Sequence, residues 1–255
     1  MSYKLIINEN KKIHNINVYE DDKLVEQYQE KEDHQRKEGN IYLGKVKDIV
    51  KGMQSAFIDI GAEKNALIHL KDIVPKESNT TGNNNIENTN YQLKDYIRQN
   101  EEILVQIKKD AINDKGARVT KDIKLVGLYT IIMPFARFIT VSSKIEDENE
   151  RKKLTKIAQK ICNEKGINFG IIVRTSAQNA DYERIENDII RLIQIWNRII
   201  KDKQTATAPQ LLYNTNGIIG KLIDDFLPYG LEIITNTENI KQLIKQYNSW
   251  VTMMS

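Results

Sequence analysis

GNIYLGKVKDIVKGMQSAFIDIGAEKNALIHL, residues Gly39–Leu70, is the stretch on which the fold turns. It predicts two or three short β-strands joined by glycine turns. Within Ser55–Ile60 the alternation is strict: Ala56, Ile58 and Ile60 point one way, Ser55, Phe57 and Asp59 the other. Burying the Ala/Ile/Ile face leaves an aromatic ring on the polar face. Ala66–Leu70 repeats the pattern, with Ala66, Ile68 and Leu70 opposed to Leu67 and His69. If the two strands pair, Phe57, Leu67 and His69 share a surface. A ring there, in a lysine-rich strand system, suits stacking of a base from a single-stranded nucleic acid. The alternative is a ring covered by a second layer, a helix or a loop. His69 can hydrogen-bond a base or phosphate, or be an ordinary half-exposed histidine.

The strand-rich block extends to Lys121. Ile103–Ile107 is expected as a strand with Val105 and Ile107 on one side, Gln106 and Lys108 on the other. Asn113–Gly116 is expected as a turn and Tyr91–Asn100 as a short amphipathic turn. Ser78–Asn90, SNTTGNNNIENTN, is polar and low in complexity; it can bury nothing and reads as a mobile loop. Five short strands with glycine turns and a loop insertion, within roughly eighty residues, fit an OB-fold barrel. Lys108, Lys109, Lys115 and Arg118 fall on its last strand pair and add positive charge, or form a solvated edge. Before the block, Lys4–Ile7, Ile13–Val18 and Leu24–Tyr28 read as three further strands, with a turn at Asn8–Lys12.

The second half alternates strands and helices. Tyr129–Met133, Phe138–Val141 and Phe169–Val173 read as strands. Asp147–Glu164 reads as a helix with Leu154, Ile157 and Ile161 at helical spacing, and Gly166 suits its C-terminal cap. Asp181–Lys203 reads as an amphipathic helix, capped by Asp181 or Asn179, whose stripe is Ile185, Ile189, Leu192, Trp196 and Ile199/Ile200. Between strand and helix stands Arg174-Thr175-Ser176. An arginine can hold a phosphate through two parallel hydrogen bonds, with hydroxyls and backbone N–H groups completing the cradle. The alternative is an arginine paired with an acidic neighbour, with Thr175 and Ser176 turning the chain.

Composition bounds these choices. At 255 residues the chain has room for one large domain or two to three small ones. Hydrophobic content of 40% with 29% charged is that of a globular chain, with no apolar run long enough to span a membrane and no signal-peptide core at the start. Cys162 is the single cysteine, which excludes an internal disulfide and a multi-cysteine zinc site and points to an intracellular protein. A net charge of +3 permits an anionic partner without demanding one.

Several segments, in order along almost the whole chain, resemble the ribonuclease E/G family of bacterial endoribonucleases. They are Gly39–Val46 (GNIYLGKV), Gly52–Ile73, Asn113–Thr120 (NDKGARVT), Leu125–Pro134, Lys144–Arg151 (KIEDENER), Ile171–Ala180 (IIVRTSAQNA) and Ala208–Tyr213 (APQLLY). The resemblance implies an α+β fold. An OB-fold β-barrel (38–121) and an α/β five-prime-sensor subdomain (122–217) are inserted in a partial ribonuclease-H-like subdomain (1–37 and 218–255). It implies that the barrel clamps single-stranded RNA at Phe57, Leu67 and Lys115; His69 stays a candidate from the strand alternation alone. It implies that the sensor holds a five-prime monophosphate with Arg174, Thr175 and backbone at Gly127 and Ile131. Leu67 stands where the family often has an aromatic, and Ser143 and Lys144 where it frequently has two arginines.

The family's catalytic Mg²⁺ is carried by aspartates in a later nuclease-like subdomain, in a motif resembling D-V-N-T-G. No D-x-N-T-G occurs here, and the cysteine pair that joins subunits through zinc is absent from this sequence. The expectation is therefore a cytoplasmic RNA-binding and end-sensing half of an endoribonuclease acting in RNA processing and decay. It has no catalytic or metal-binding residue of its own and is inactive alone. Mg belongs to the complete enzyme, and homo-oligomers only to the region beyond. A self-standing, non-catalytic RNA-binding protein is the alternative. Asp59/Glu63 and Asp224/Asp225 are the carboxylate pairs that remain as metal candidates, with Asp224-Asp225 expected to face solvent near a helix end.

Overall fold

The computed structural model describes residues 3–31, 36–73, 92–215, 217–226, 230–242 and 244–245. The Ser78–Asn90 segment, Tyr91, Trp250 and Met253–Met254 lie outside the described residues. The architecture is mixed α+β: three sheets, each with its own core.

The first sheet has the order β14-β1-β2-β3, built from β1 (Tyr3–Asn10), β2 (Ile13–Glu20), β3 (Lys23–Lys31) and β14 (Leu231–Thr235). β1, β2 and β3 form a meander through two-residue turns at Lys11-Lys12 and Asp21-Asp22. All four turn residues have positive φ, between 44° and 64°. That backbone matches the twist of the flanking strands, which is why the turns are tight and the strands longer than expected from the sequence. β14 joins β1 in parallel. Leu5, Ile7, Ile16 and Val18 face α3 (Gly217–Phe226), against Ile219, Leu222 and Ile223.

The second sheet closes on itself. β4 (Ile41–Val50), β5 (Ser55–Asp59), β6 (Ala66–His69), β8 (Arg118–Thr120) and β7 (Glu102–Lys109) follow in that order, and β4 pairs β7 to complete a five-strand barrel. β6 and β8 run parallel; the other barrel pairs are antiparallel. The closed barrel is consistent with an OB-fold and leaves no edge within the ring. Val46, Ala56, Ile58, Ile68, Val105 and Val119 fill it. β13 (Gln210–Tyr213) adds to β4 from outside. The two sides of β7 are as expected, but both are covered at Gln106. Gln106, placed on the polar side, is buried, because that side faces chain rather than water. Its amide donates to the carbonyls of Gly39 and Lys124 (both 2.8 Å) and accepts from the Lys124 N–H (2.9 Å), so the buried group is satisfied.

The third sheet has the order β11-β12-β10-β9, from β9 (Leu125–Val126), β10 (Thr130–Met133), β11 (Ile139–Val141) and β12 (Gly170–Val173). α1 (Glu148–Lys165) and α2 (Tyr182–Thr205) pack on it. Asp147 caps α1 by accepting from Asn149 N–H at 2.7 Å, and Gly166 ends it at φ 62°, a conformation that glycine adopts without steric cost. Asp181 caps α2 by accepting from Arg184 N–H at 2.9 Å. The predicted stripe Ile185, Ile189, Leu192, Trp196 and Ile199 is buried throughout.

Candidate functional site

On the barrel, β5 and β6 pair as their alternation requires. Phe57 lies opposite Leu67, and Ser55 opposite His69. Ala56, Ile58 and Ile60 are buried while Phe57 stays 39% exposed, so the ring is on the outer face, with no second layer over it among the described residues. The register continues the row. Asp48 sits opposite Phe57, Leu67 opposite Arg118, and Arg118 opposite Lys109. Asp48, Phe57, Leu67, Arg118 and Lys109 therefore cross all five strands as one line on the surface. Lys115 lies in the turn before β8, where its backbone pairs with Ile112. Gly116 brings that turn against the Asn65 carbonyl, one residue before β6. Ile112, 65% exposed beside Lys115, went unnoticed in the sequence because a lone apolar turn residue carries no periodic signal. His69 is half-buried; its Nδ1 accepts from Lys71 N–H at 3.3 Å. Burial, then the charges of Lys71 and Arg118, push its pKa down, so at neutral pH it is a neutral donor rather than a cation.

The cations near this row are not all free. Asp72, buried in the turn after β6, accepts from Lys108 Nζ (2.8 Å) and Arg118 Nη2 (2.8 Å). Burial acts to raise the Asp72 pKa. The hydrogen bonds and charges of Lys108 and Arg118 outweigh it and hold the carboxyl below its ordinary value. A carboxylate depressed in the folded state stabilises above its unfolded pKa and loses that contribution as pH falls through the folded one. Asp72→Asn is expected to cost about 1–2 kcal/mol at pH 7. The difference from the parent should shrink as pH drops below about 4. Paired denaturation curves at pH 7 and pH 3 check this; an unchanged gap at the two pH values contradicts it.

A second constellation gathers on the turn between β9 and β10. Asp188, on α2 and fully buried, accepts from the N–H groups of Leu128 (3.0 Å), Tyr129 (3.0 Å) and Thr130 (2.9 Å). It also accepts from the Thr130 hydroxyl (2.7 Å) and from Arg191 (3.2 Å). A Cβ on Gly127 would meet the Asp188 oxygens at 2.5 Å, so this position accepts only glycine without displacing the carboxylate. With its N–H groups turned onto Asp188, the turn presents carbonyls on its other side. The Gly127 and Leu128 carbonyls accept from Arg174 Nη1, and the Leu128 carbonyl also accepts from the Ser176 hydroxyl. The Gly127 N–H itself donates to Thr130 O at 2.8 Å. Ile131 lies mid-strand, in register with Val126 and Ile172. Thr175 opens a short 3-10 turn directly after Arg174.

Arg174 also meets a carboxylate. Its Nη2 stands 2.8 Å from Asp225 on α3. The expected position near a helix end holds for Asp225, whose side chain keeps 36% exposure while paired with Arg174, and the Asp224 side chain lies outside the described residues. The contact was illegible in sequence, since the partners are 51 residues apart and in different elements. Asp188 did leave a signal. It stands three residues after Ile185 and four before Leu192, on the apolar stripe itself. Ser143 and Lys144 are exposed, beside the loop that Arg151 ties down through the carbonyls of Val141, Ser142 and Ile145.

One carboxylate of each candidate pair is already engaged by a donor. Asp59 binds Lys47 (3.1 Å) and the Gly61 N–H (2.9 Å), and Asp225 is on Arg174. Among the described residues no three His, Cys, Asp or Glu side chains converge. Among the same residues, no helix is long and apolar enough to cross a membrane.

The closed barrel with its cross-strand row, and the arginine turn built on a helical carboxylate, define a mixed α+β protein of the type suggested by the ordered motifs. Residues 124–254, about half of the sequence, match the ribonuclease E/G family, and the chain belongs to that family. Ribonuclease G of Escherichia coli strain K12 is 34% identical over 196 residues, which cover 77% of this chain and 40% of that protein. Ribonuclease E of a Nostoc species is 31% identical over 213 residues, covering 82% and 29%. A ribonuclease E/G-like protein of Porphyra purpurea is 35% identical over 214 residues, covering 83% and 40%. The chain thus spans 40% or less of the length of these relatives.

Proposed function

We propose that this chain grips single-stranded RNA across the barrel and holds a five-prime monophosphate at the Arg174–Thr175 turn. It serves as the RNA-holding part of a cytoplasmic endoribonuclease of the ribonuclease E/G kind, acting in RNA processing and decay. The observation that carries the reading is the row of Phe57, Leu67, Arg118 and Lys109 across the barrel surface. It offers a ring for a base, an apolar neighbour in place of a second ring, and the exposed Lys109 for the backbone, with Arg118 already paired to Asp72. Lys115 and His69 flank the row. On the sensor side, Arg174 and Thr175 supply the side chains, with Gly127 and Ile131 as the backbone beside them. The three cores favour a division into a barrel at 38–121, a sensor at 122–217, and a ribonuclease-H-like part from 1–37 and 218–255. Chemistry and Mg²⁺ belong to the complete enzyme on this reading.

Phe57→Ala tests the barrel half. Losing one stacked base is expected to cost about 1–3 kcal/mol of RNA affinity. The melting temperature should stay near that of the parent, because the ring is exposed. Titration of a labelled single-stranded oligoribonucleotide, with a thermal melt of the same sample, reads both. An unchanged dissociation constant, or a collapsed melt, contradicts the assignment.

A further inference from the structure

Arg174 divides its donors between two partners. Nη1 is committed to the Gly127 and Leu128 carbonyls of the turn that Asp188 holds, which fixes the guanidinium in place. Nη2 reaches outward to Asp225 at 2.8 Å. Both groups retain solvent access, with side-chain exposures of 21% and 36%, so an anion from solution can approach the pair. Asp225 is on the last turn of α3. That helix is seated through Ile219, Leu222 and Ile223 on the first sheet, and Phe226 stacks on Tyr3 of β1 at 4.5 Å. The ion pair therefore ties the arginine turn of the third sheet to the helix that covers the first.

We infer that the Arg174–Asp225 pair is a latch that a five-prime monophosphate opens. The inference rests on the proposed assignment of Arg174 to the terminal phosphate. Carboxylate and phosphate compete for the same Nη2 donor. A terminal phosphate monoester brings close to two charges and three acceptor oxygens at neutral pH; an internal phosphodiester brings one charge. The first outcompetes a singly charged carboxylate and the second does not. Once phosphate is on Arg174, Asp225 faces an anion and its helix loses the tie. Linkage makes the effect reciprocal: what frees Asp225 from Arg174 tightens phosphate, and phosphate loosens the end of α3.

The test uses the full chain and a 3′-labelled single-stranded RNA decamer in two forms, five-prime monophosphate and five-prime hydroxyl. Asp225→Asn is expected to tighten the monophosphate form about fivefold and leave the hydroxyl form unchanged. On an Arg174→Ala background the same substitution should do nothing to either. Amide exchange over Ile219–Phe226 should quicken when the monophosphate RNA is added, and not with the hydroxyl RNA. This second readout needs no variant to fold. If the parent prefers monophosphate RNA but Asp225→Asn weakens or does not change its binding, the latch is wrong and the phosphate assignment stands. If the parent shows no preference between the two RNAs, the assignment and the latch fall together.

Discussion

Asp188→Ala is expected to destabilise the protein by about 3–5 kcal/mol, the largest effect of any single substitution considered for this chain. The carboxylate is fully buried and is the acceptor for three backbone N–H groups and one hydroxyl on the Leu128–Thr130 turn. Removing it strands those donors where water does not replace it, and each buried donor without an acceptor costs about 1–3 kcal/mol. Some relaxation of the turn recovers part of that sum. Asp188→Asn should be milder, since one amide oxygen still accepts while the NH₂ meets the remaining N–H groups head on. Urea unfolding at pH 7 measures both; a loss below about 1 kcal/mol for the alanine variant would mean that the turn holds itself. Function follows from stability here. The turn that Asp188 holds is the one whose carbonyls orient Arg174, so the milder asparagine variant should also blunt phosphate recognition before it unfolds the chain.

Arg174→Ala is expected to weaken binding of five-prime-monophosphorylated RNA by about 10-fold or more while leaving hydroxyl-ended RNA nearly unaffected. Hydrogen bonds to a charged group contribute about 1.5–3 kcal/mol each, part of which is offset by giving up Asp225. The substitution also removes the donor to the carbonyls of Gly127 and Leu128, both buried residues, although the Leu128 oxygen keeps the Ser176 hydroxyl. A modest fall in melting temperature is therefore compatible with a local effect. Arg174→Lys keeps the charge but cannot span carbonyl and phosphate at once, so it should recover only part of the loss.

What the sequence carried openly was whatever repeats with a short period. The alternation at Ser55–Ile60 placed Phe57 outside and Ala56, Ile58 and Ile60 inside. The helical stripe of α2 was legible for the same reason, and the caps at Asp181 and Gly166 from their residue types; that Asp147 is a cap and not the first helical residue was not. The extent of β1–β3 was not, because the tight turns at Lys11-Lys12 and Asp21-Asp22 use residues without the usual glycine or asparagine. The burial of Gln106 was not legible, because alternation records two faces without saying that both are covered. The site was harder. Arg174-Thr175-Ser176 stood out as a motif, and of its two sequence interpretations the structure shows the arginine paired with an acidic residue, Asp225. The pairing with Asp225, the neutralisation of Lys108 and Arg118 by Asp72, and the hold of Asp188 on the turn all join residues distant in sequence. Pattern within one element cannot report them.

The account rests most heavily on Arg174 as the receiver of a terminal phosphate, and one comparison addresses that directly. Dissociation constants are measured for the same single-stranded RNA with a five-prime monophosphate and with a five-prime hydroxyl, on the parent chain and on Arg174→Ala. The account predicts tighter binding of the monophosphate form by the parent and equal binding of the two forms by the variant. Equal binding by the parent, or a preference that survives Arg174→Ala, would contradict it.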